Sequence, residues 1–184
     1  MALKEQKRII YANDTLLDVT CQFRFPTILK ISSDTPVEFQ EEIRHKLPIF
    51  DVRDISGLPP EISKMIPNTQ FSIATGKSYI FSSEDKSLQL ELNNDSITLT
   101  TTDYKRYEPF KETFIKSLSA FEKIYNPSFY SRVGLRYRNL IIRSSLNLED
   151  TAWSELIPFY IAPELHLEEP RGCALVAQQA FGCH

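Results

Sequence analysis

Residues 107–125 read YEPFKETFIKSLSAFEKIY, and this stretch decides the kind of fold that the chain can adopt. Its large apolar side chains recur every three or four residues, at Phe110, Phe114, Leu118, Phe121 and Tyr125. That spacing places them on one stripe of an α-helix. Pro109 falls in the first turn, where a helix needs no amide donor, and Asn126-Pro127 ends the helix because a residue before proline avoids the helical region. The pattern predicts an amphipathic helix from Tyr107 or Glu108 to Tyr125.

A long β-type segment follows this helix, from Phe129 to Arg143, and it is rich in Val, Leu, Tyr and Ile. Side chains alternate between the two faces of a strand. Over residues 132–139 this alternation gives one face to Arg132, Gly134, Arg136 and Arg138 and the other to Val133, Leu135, Tyr137 and Asn139. Three guanidinium groups therefore share one face of the predicted strand.

Upstream of the helix, four short extended segments at residues 70–73, 78–82, 87–92 and 96–101 predict an antiparallel meander. Asn93-Asn94-Asp95 lies between the last two segments and consists of residue types that tolerate left-handed turn conformations. We therefore expect a hairpin there. The proline-rich stretch before the meander, residues 48–69, is predicted to be a loop.

The N-terminal part of the chain predicts one strand and one helix. Residues 16–25 alternate between an apolar face and a polar face, which is typical of a half-buried strand. Thr35-Pro36-Val37-Glu38 has the form of a capping box with proline in the first helical position. Apolar residues recur every four positions from there, so a second amphipathic helix is expected to run to about Leu47, before Pro48.

This order of strand, helix, several strands, helix and strand predicts an α+β fold. It is the ferredoxin-like arrangement, an antiparallel sheet with two helices on one face, here with an elaborated central meander. We expect residues 1–157 to form a single domain and residues 158–184 to form a C-terminal tail. The second face of the sheet is expected to be open or covered by something else.

Composition narrows the function classes. The chain has 184 residues, 42% of them apolar and 24% charged, and a formal net charge of -3, as in an ordinary globular protein. The mild acidity argues against a surface given over entirely to nucleic acid or anionic membrane, but it leaves a local basic patch open. No apolar run approaches the ~20 residues of a membrane-spanning helix, so we expect no membrane partner.

Cysteine use and the N-terminus indicate a compartment. The sequence MALKEQKRII lacks the apolar stretch of a secretory signal. Cys21, Cys173 and Cys183 make an odd count without the spacing of a disulfide framework. Both observations favour the reducing cytoplasm, and Cys21, on the apolar face of the first strand, is expected to be a small core residue rather than a nucleophile.

Several segments carry a resemblance to a known family. They are Cys21-Gln-Phe-Arg-Phe-Pro, Tyr79-Ile-Phe-Ser, Asp103-Tyr-Lys-Arg-Tyr-Glu-Pro-Phe and, most specifically, the R-x-G-L-R-Y-x-N run at residues 132–139. Over residues 16–157 the chain resembles a sporadically distributed prokaryotic family of uncharacterised proteins. The resemblance implies no activity and no catalytic residue, and the patchy distribution associates the family with accessory genes, including mobile or defence genes.

The C-terminal part departs from that family, whose members are usually longer. After residues 153–157 the resemblance fades into the sequence RGCALVAQQAFGCH at residues 171–184. We therefore expect a truncation or an altered reading frame relative to the family, with a second structural half missing.

The candidate ligand-binding residues are Arg132, Arg136 and Arg138, joined by Arg24 if the first strand lies beside theirs. Arginine binds phosphate and carboxylate groups with two parallel hydrogen bonds, so this face could receive such groups. The alternative interpretation is a solvated or partner-covered face whose arginines pair with Glu or Asp of a neighbouring element. Both interpretations stay open at the level of sequence.

No metal site or cofactor is expected. His45 is interpreted as a surface residue near a helix C-terminus. His166 lies between Glu164 and Glu168, but an acidic loop explains this pattern as well as metal ligation does. Cys173, Cys183 and His184 do not have a recognised zinc spacing.

We therefore expect a non-catalytic binding or accessory module that uses the arginine-bearing sheet face. Its partner would be a protein, a polyanion or the missing C-terminal half, and self-association stays open. The alternative is an enzyme acting on a phosphorylated or nucleotide substrate, with Arg132, Arg136 and Arg138 neutralising charge. The enzyme would need a concave pocket beside those arginines and a perturbed titratable group.

Overall fold

The computed structural model describes residues 15–55, 76–166 and 181–183. Some predictions fall outside this part of the chain. They concern the extended segment at residues 70–73, the second part of the loop (residues 56–69), and the residues Cys173 and His184. The described residues form a mixed α+β fold around an antiparallel sheet, as the order of elements predicted.

The sheet has seven strands in the spatial order β2-β3-β4-β5-β1-β6-β7. The strands are β1 Leu16–Arg24, β2 Ile49–Ile55, β3 Gly76–Ser82, β4 Leu88–Leu92, β5 Ser96–Thr101, β6 Arg132–Asn139 and β7 Phe181–Cys183. The pairs β2–β3, β3–β4, β4–β5, β1–β5 and β6–β7 are antiparallel. The first strand thus lies between the last strand of the meander and the arginine-bearing strand.

The helices are α1 Leu29–Ser33, α2 Val37–Ile43, α3 Tyr107–Tyr125 and α4 Trp153–Leu156. Helix α3 occupies the predicted range and ends at Asn126, which adopts a left-handed conformation with φ 44°. A residue in this conformation is a common helix terminator because it turns the chain away from the helix axis. The periodic Phe and Leu residues therefore located this helix correctly.

The core lies between one face of the sheet and helices α2 and α3. The ring of Phe114 in α3 lies 5.1 Å from that of Phe23 in β1. The ring of Phe39 in α2 lies 5.5 Å from that of Phe81 in β3. Cross-strand pairs such as Leu90 with Leu99 continue this apolar layer through the meander. Both helices therefore contact the same face of the sheet.

Three local predictions are wrong. Residues 49–55 form strand β2 rather than a loop, because Phe50 and Val52 alternate onto the apolar face opposite Phe81 and Tyr79. The prolines that flank this stretch obscured the short alternation. Helix α2 ends at Ile43 rather than near Leu47.

The capping box is the third wrong prediction. The N-cap residue of α2 is Pro36, and no side chain caps the helix. The amide of Val37 instead donates to the carbonyl oxygen of Thr35 at 2.8 Å. The chain before α2 is thus turned by a backbone hydrogen bond and not by a capping box.

The prediction of a hairpin at Asn93-Asn94-Asp95 is confirmed. Strands β4 and β5 pair on either side of this turn, and the amide of Asn93 donates to the carbonyl of Ser96 at 2.8 Å. The left-handed residue, however, is Lys86 in the β3–β4 turn, with φ 58°, and not a member of Asn93-Asn94-Asp95. Asp85 supports that neighbouring turn, since its carboxylate accepts hydrogen bonds from Ser83 and from the amide of Ser87.

The described residues divide into two compact units. The larger contains residues 18–55, 76–137 and 181–183, and the smaller contains residues 15–17 and 138–166. In the smaller unit the guanidinium of Arg143 lies 5.0 Å from the ring centre of Trp153 and donates to the carbonyl of Thr151 at 2.9 Å. The boundary predicted after residue 157 stays a prediction.

Among the described residues, no helix combines the length and the apolar character that crossing a membrane requires.

Candidate functional site

The sheet face opposite α2 and α3 carries a ladder of polar cross-strand pairs in the larger unit. The hydroxyl groups of Thr20 and Thr100 are hydrogen-bonded at 3.1 Å. The side-chain amide of Gln22 donates to the hydroxyl of Thr98 at 3.1 Å. Thr20 and Gln22 alternate with Val19, Cys21 and Phe23 along β1. The polar side chains of β1 therefore lie on one face, where they hydrogen-bond to side chains of β5.

Arg24 continues this ladder at the end of β1. Its guanidinium is hydrogen-bonded and ion-paired to the carboxylate of Asp95 in the β4–β5 turn. The Arg24 side chain is 47% exposed, so the pair is a partly solvated one that contributes little to stability. For Arg24, the structure supports the interpretation in which a neighbouring acid neutralises the arginine.

Strand β6 lies next to β1, as the hypothesis of a shared arginine face required. The amide of Ser131, just before β6, donates to the carbonyl oxygen of Arg24 at 2.8 Å. This contact brings the start of β6 to the end of β1, where Arg24 lies.

Contacts at both ends of β6 lead to α3 and the segment before it. The hydroxyl of Tyr137 is hydrogen-bonded to that of Tyr104 at 3.0 Å, and the Tyr104 ring lies edge-on against Phe110 of α3. Just before β6, the Tyr130 ring lies edge-on against Phe23, and its hydroxyl donates to the carboxylate of Glu122 in α3 at 2.8 Å. The strand therefore lies close to α3 along its length.

The β6 arginines differ in their surroundings. Arg132 is exposed and Arg136 is half-buried. The Nε atom of Arg136 is buried and has no hydrogen-bond partner in the structure. Arg138 is exposed and belongs to the smaller unit, so the candidate arginine site of the larger unit consists of Arg24, Arg132 and Arg136.

The middle of the polar face is not open to solvent. Ile80 is only 3% exposed, and Ser78, Ser96 and Thr98 are buried as well. The hydroxyl of Ser78 donates to the carboxylate of Glu91 at 2.6 Å. Along this face, Asp51 and Arg53 of the edge strand β2 are exposed, as is Arg24 at the end of β1.

A separate cleft of about 260 Å³ lies in the larger unit where α3 begins. Its cationic lining residues are Lys46, Lys105 and Arg106. None of Arg24, Arg132, Arg136 and Arg138 lines it. The sequence analysis did not identify these three cations as a site. Lys105-Arg106 directly precedes a helix with proline in its first turn, and this pattern could have indicated a cationic site there.

Tyr104 also lines this cleft. Burial and the hydrogen bond with Tyr137 raise the pKa of the Tyr104 phenol well above its usual range. The phenol therefore stays protonated at neutral pH and can serve as a hydrogen-bond donor or acceptor, but not as a ready base.

Cys21 behaves as its position on the apolar face of β1 predicted. Burial raises the pKa of its thiol to about 11. The thiolate, which is the reactive form, is therefore scarce at neutral pH. This result supports the interpretation of Cys21 as a packing residue.

Metal ligation was tested on the described residues. No cluster of three or more His, Cys, Asp or Glu side chains that could hold a metal ion occurs among residues 15–55, 76–166 and 181–183. In the smaller unit the ring Nε2 of His166 lies 2.8 Å from the carbonyl oxygen of Ile157, so a backbone group engages this imidazole.

Comparison with known proteins gives no assignment, since neither a protein-family model nor a curated protein matches this sequence.

Proposed function

We propose that the chain is a non-catalytic binding module whose arginine-bearing sheet face receives oxyanion groups of a partner macromolecule. The binding surface would consist of Arg132 and Arg136 on β6, bordered by Arg24 on β1. Carboxylate and phosphate groups are the chemical classes that guanidinium groups bind with two parallel hydrogen bonds.

The observation that carries this proposal is the position of β6, whose exposed Arg132 and half-buried Arg136 lie on the strand next to β1. The Nε atom of Arg136 is itself buried and has no acceptor, so an oxyanion would contact the accessible part of this side chain. The exposed Arg132 side chain, four residues away on the same strand, would bind the same group or the next one along a polymer.

The order of elements supports a ferredoxin-like scaffold for this surface. The strands run β6-β1-β5-β4 with helices after β1 and after β5, and β3 and β2 continue the sheet beyond β4. We propose this topology for the chain. In it, α2 and α3 cover one face of the sheet, and the proposed binding surface lies along β6.

An enzyme acting on a phosphorylated or nucleotide substrate is the alternative. It would need a concave pocket beside the arginines, whereas the cleft in the larger unit is lined by other cations. The buried donor of Arg136 explains binding without requiring a reacting group. We therefore favour the binding module.

Two further proposals rest on the sequence. We propose that the chain belongs to the sporadically distributed prokaryotic family that it resembles and that it works in the cytoplasm. The free thiol of Cys21 supports a reducing compartment.

The proposed function is tested by binding of labelled single-stranded and double-stranded DNA and RNA, and of a labelled polyglutamate peptide, across a salt series. Binding that weakens steeply with salt supports an oxyanion site. Preference for a nucleic acid or for polyglutamate identifies the class of partner. No binding of any probe at about 50 mM salt would contradict the proposal, since electrostatic contacts are strong at that ionic strength.

A further inference from the structure

The cleft at the start of α3 concentrates positive charge in an acidic protein. Lys46 comes from the turn after α2, and Lys105 with Arg106 comes from the segment that leads into α3. The carboxylate lining the cleft is that of Asp103, which pairs with Lys105 at 2.7 Å. Three cations and one carboxylate therefore face this space, although the whole chain carries a formal charge of -3.

We propose that this cleft binds the phosphate group of a small phosphate monoester. The site is separate from the arginine face and does not depend on the function proposed for that face. Lys46 and Arg106 would provide the charge, and the hydroxyl groups of Ser87 and Thr101 line the same space.

Lys46 is held in place for this role. Its ammonium nitrogen donates to the hydroxyl oxygen of Thr113 at 2.7 Å, and that hydroxyl donates to the carbonyl oxygen of Pro109 at 2.9 Å. Thr113 is buried, so the acceptor has a fixed position. An ammonium group has three donors, and the bond to Thr113 uses one of them. Two donors therefore remain for a ligand at low cost in side-chain entropy.

Arg106 adds a second fixed element because it is the N-cap residue of α3 and no side chain caps the helix there. The first amides of a helix have no acceptor within the helix, and the helix dipole favours negative charge at this end. The helix dipole therefore adds to the preference for an anion that the cationic side chains establish.

The size and walls of the cleft define the ligand class. A volume of about 260 Å³ suits a phosphate group with a small organic body rather than a large nucleotide. Leu88, Pro109 and Phe110 form apolar walls. A compact apolar or planar body would pack against them while the phosphate contacts Lys46 and Arg106.

Titration calorimetry with inorganic phosphate and with phenyl phosphate tests this proposal on the full chain. The cleft variant combines Lys46→Met with Arg106→Gln. The matched control variant combines Lys30→Met with Lys123→Met, which removes the same number of positive charges outside the cleft lining. We expect wild type to bind phenyl phosphate and the cleft variant to bind at least about tenfold more weakly, since two charge-assisted contacts are removed. The control should stay within about twofold of wild type.

Each outcome is decisive. Tighter binding of phenyl phosphate than of inorganic phosphate means that the apolar walls contribute, and equal binding means that the phosphate alone is recognised. An unchanged affinity in the cleft variant, an equal loss in the control variant or no binding by wild type would overturn the proposal. If the cleft variant does not fold, the amide shifts of Lys105, Arg106 and Phe110 in wild type on adding phenyl phosphate decide the question, and their absence overturns the proposal.

Discussion

Replacing Arg136 by Met should leave the protein at least as stable as wild type. The Met side chain keeps much of the aliphatic stem of Arg136 but removes its buried, unpartnered Nε donor. Removing an unpartnered donor raises the free energy of unfolding by ~1–3 kcal/mol when the donor is fully buried. We expect ~1 kcal/mol here because the rest of the side chain is only half-buried. For a protein of this size, such a gain moves the urea midpoint upward by about 0.5 M.

The assay is equilibrium unfolding in urea, with Arg24→Met as the matched variant. Arg24 has an acceptor in Asp95, so its replacement should lower the free energy of unfolding slightly, by ~0–1 kcal/mol for a partly solvated pair. A loss of more than ~1 kcal/mol in Arg136→Met would refute the reasoning, because it would show that the guanidinium stabilises the fold instead of awaiting a ligand.

Three further outcomes follow from the packing of the larger unit. Phe114→Ala removes a ring that lies 5.1 Å from Phe23, and thermal or urea unfolding should show a loss of ~3–5 kcal/mol. Tyr104→Phe removes the hydroxyl bond to Tyr137 and should cost ~1 kcal/mol, measured in the same way; no loss would mean that water replaces this bond. Burial raises the pKa of the Cys21 thiol from 9.0 to about 11, so the free energy of unfolding should fall as pH rises through this interval. The thiol should also react slowly with Ellman's reagent at about pH 8. Fast reaction of the folded protein would contradict the burial of Cys21.

The sequence predicted the elements whose signals are local and repeated. Helix α3 has five regularly spaced apolar residues, and β1 has a full alternation of apolar and polar side chains. In both cases the hydrophobic period alone specifies the element and the face that it buries. The β4–β5 hairpin was also predictable because its two strands are separated by a short polar turn.

Other features depended on contacts between distant residues. Arg24 is neutralised by Asp95, which lies 71 positions away, and only the pairing of β1 with β5 brings the two together. Strand β2 was missed because its alternation is short and becomes apolar packing only beside β3. Local sequence cannot specify such pairs, since they follow from the register of the whole sheet.

The cleft illustrates the same limit for a candidate site. Lys46 follows α2, whereas Lys105 and Arg106 precede α3. The pairing of α2 and α3 against one sheet face brings these cations into one space. Among the arginines, the missing acceptor of Arg136 became visible only from the packing around its Nε atom.

The most direct test of the arginine face is fluorescence anisotropy at about 50 mM salt with the tightest of the nucleic-acid and polyglutamate probes. It compares wild type with Arg132→Ala/Arg136→Ala and with the control Arg44→Ala, which removes an exposed arginine paired with Glu41. Loss of two charge-assisted contacts should weaken binding by at least about tenfold, with the control within about twofold of wild type. Equal affinity of wild type and the double variant would contradict the assignment of binding to this face.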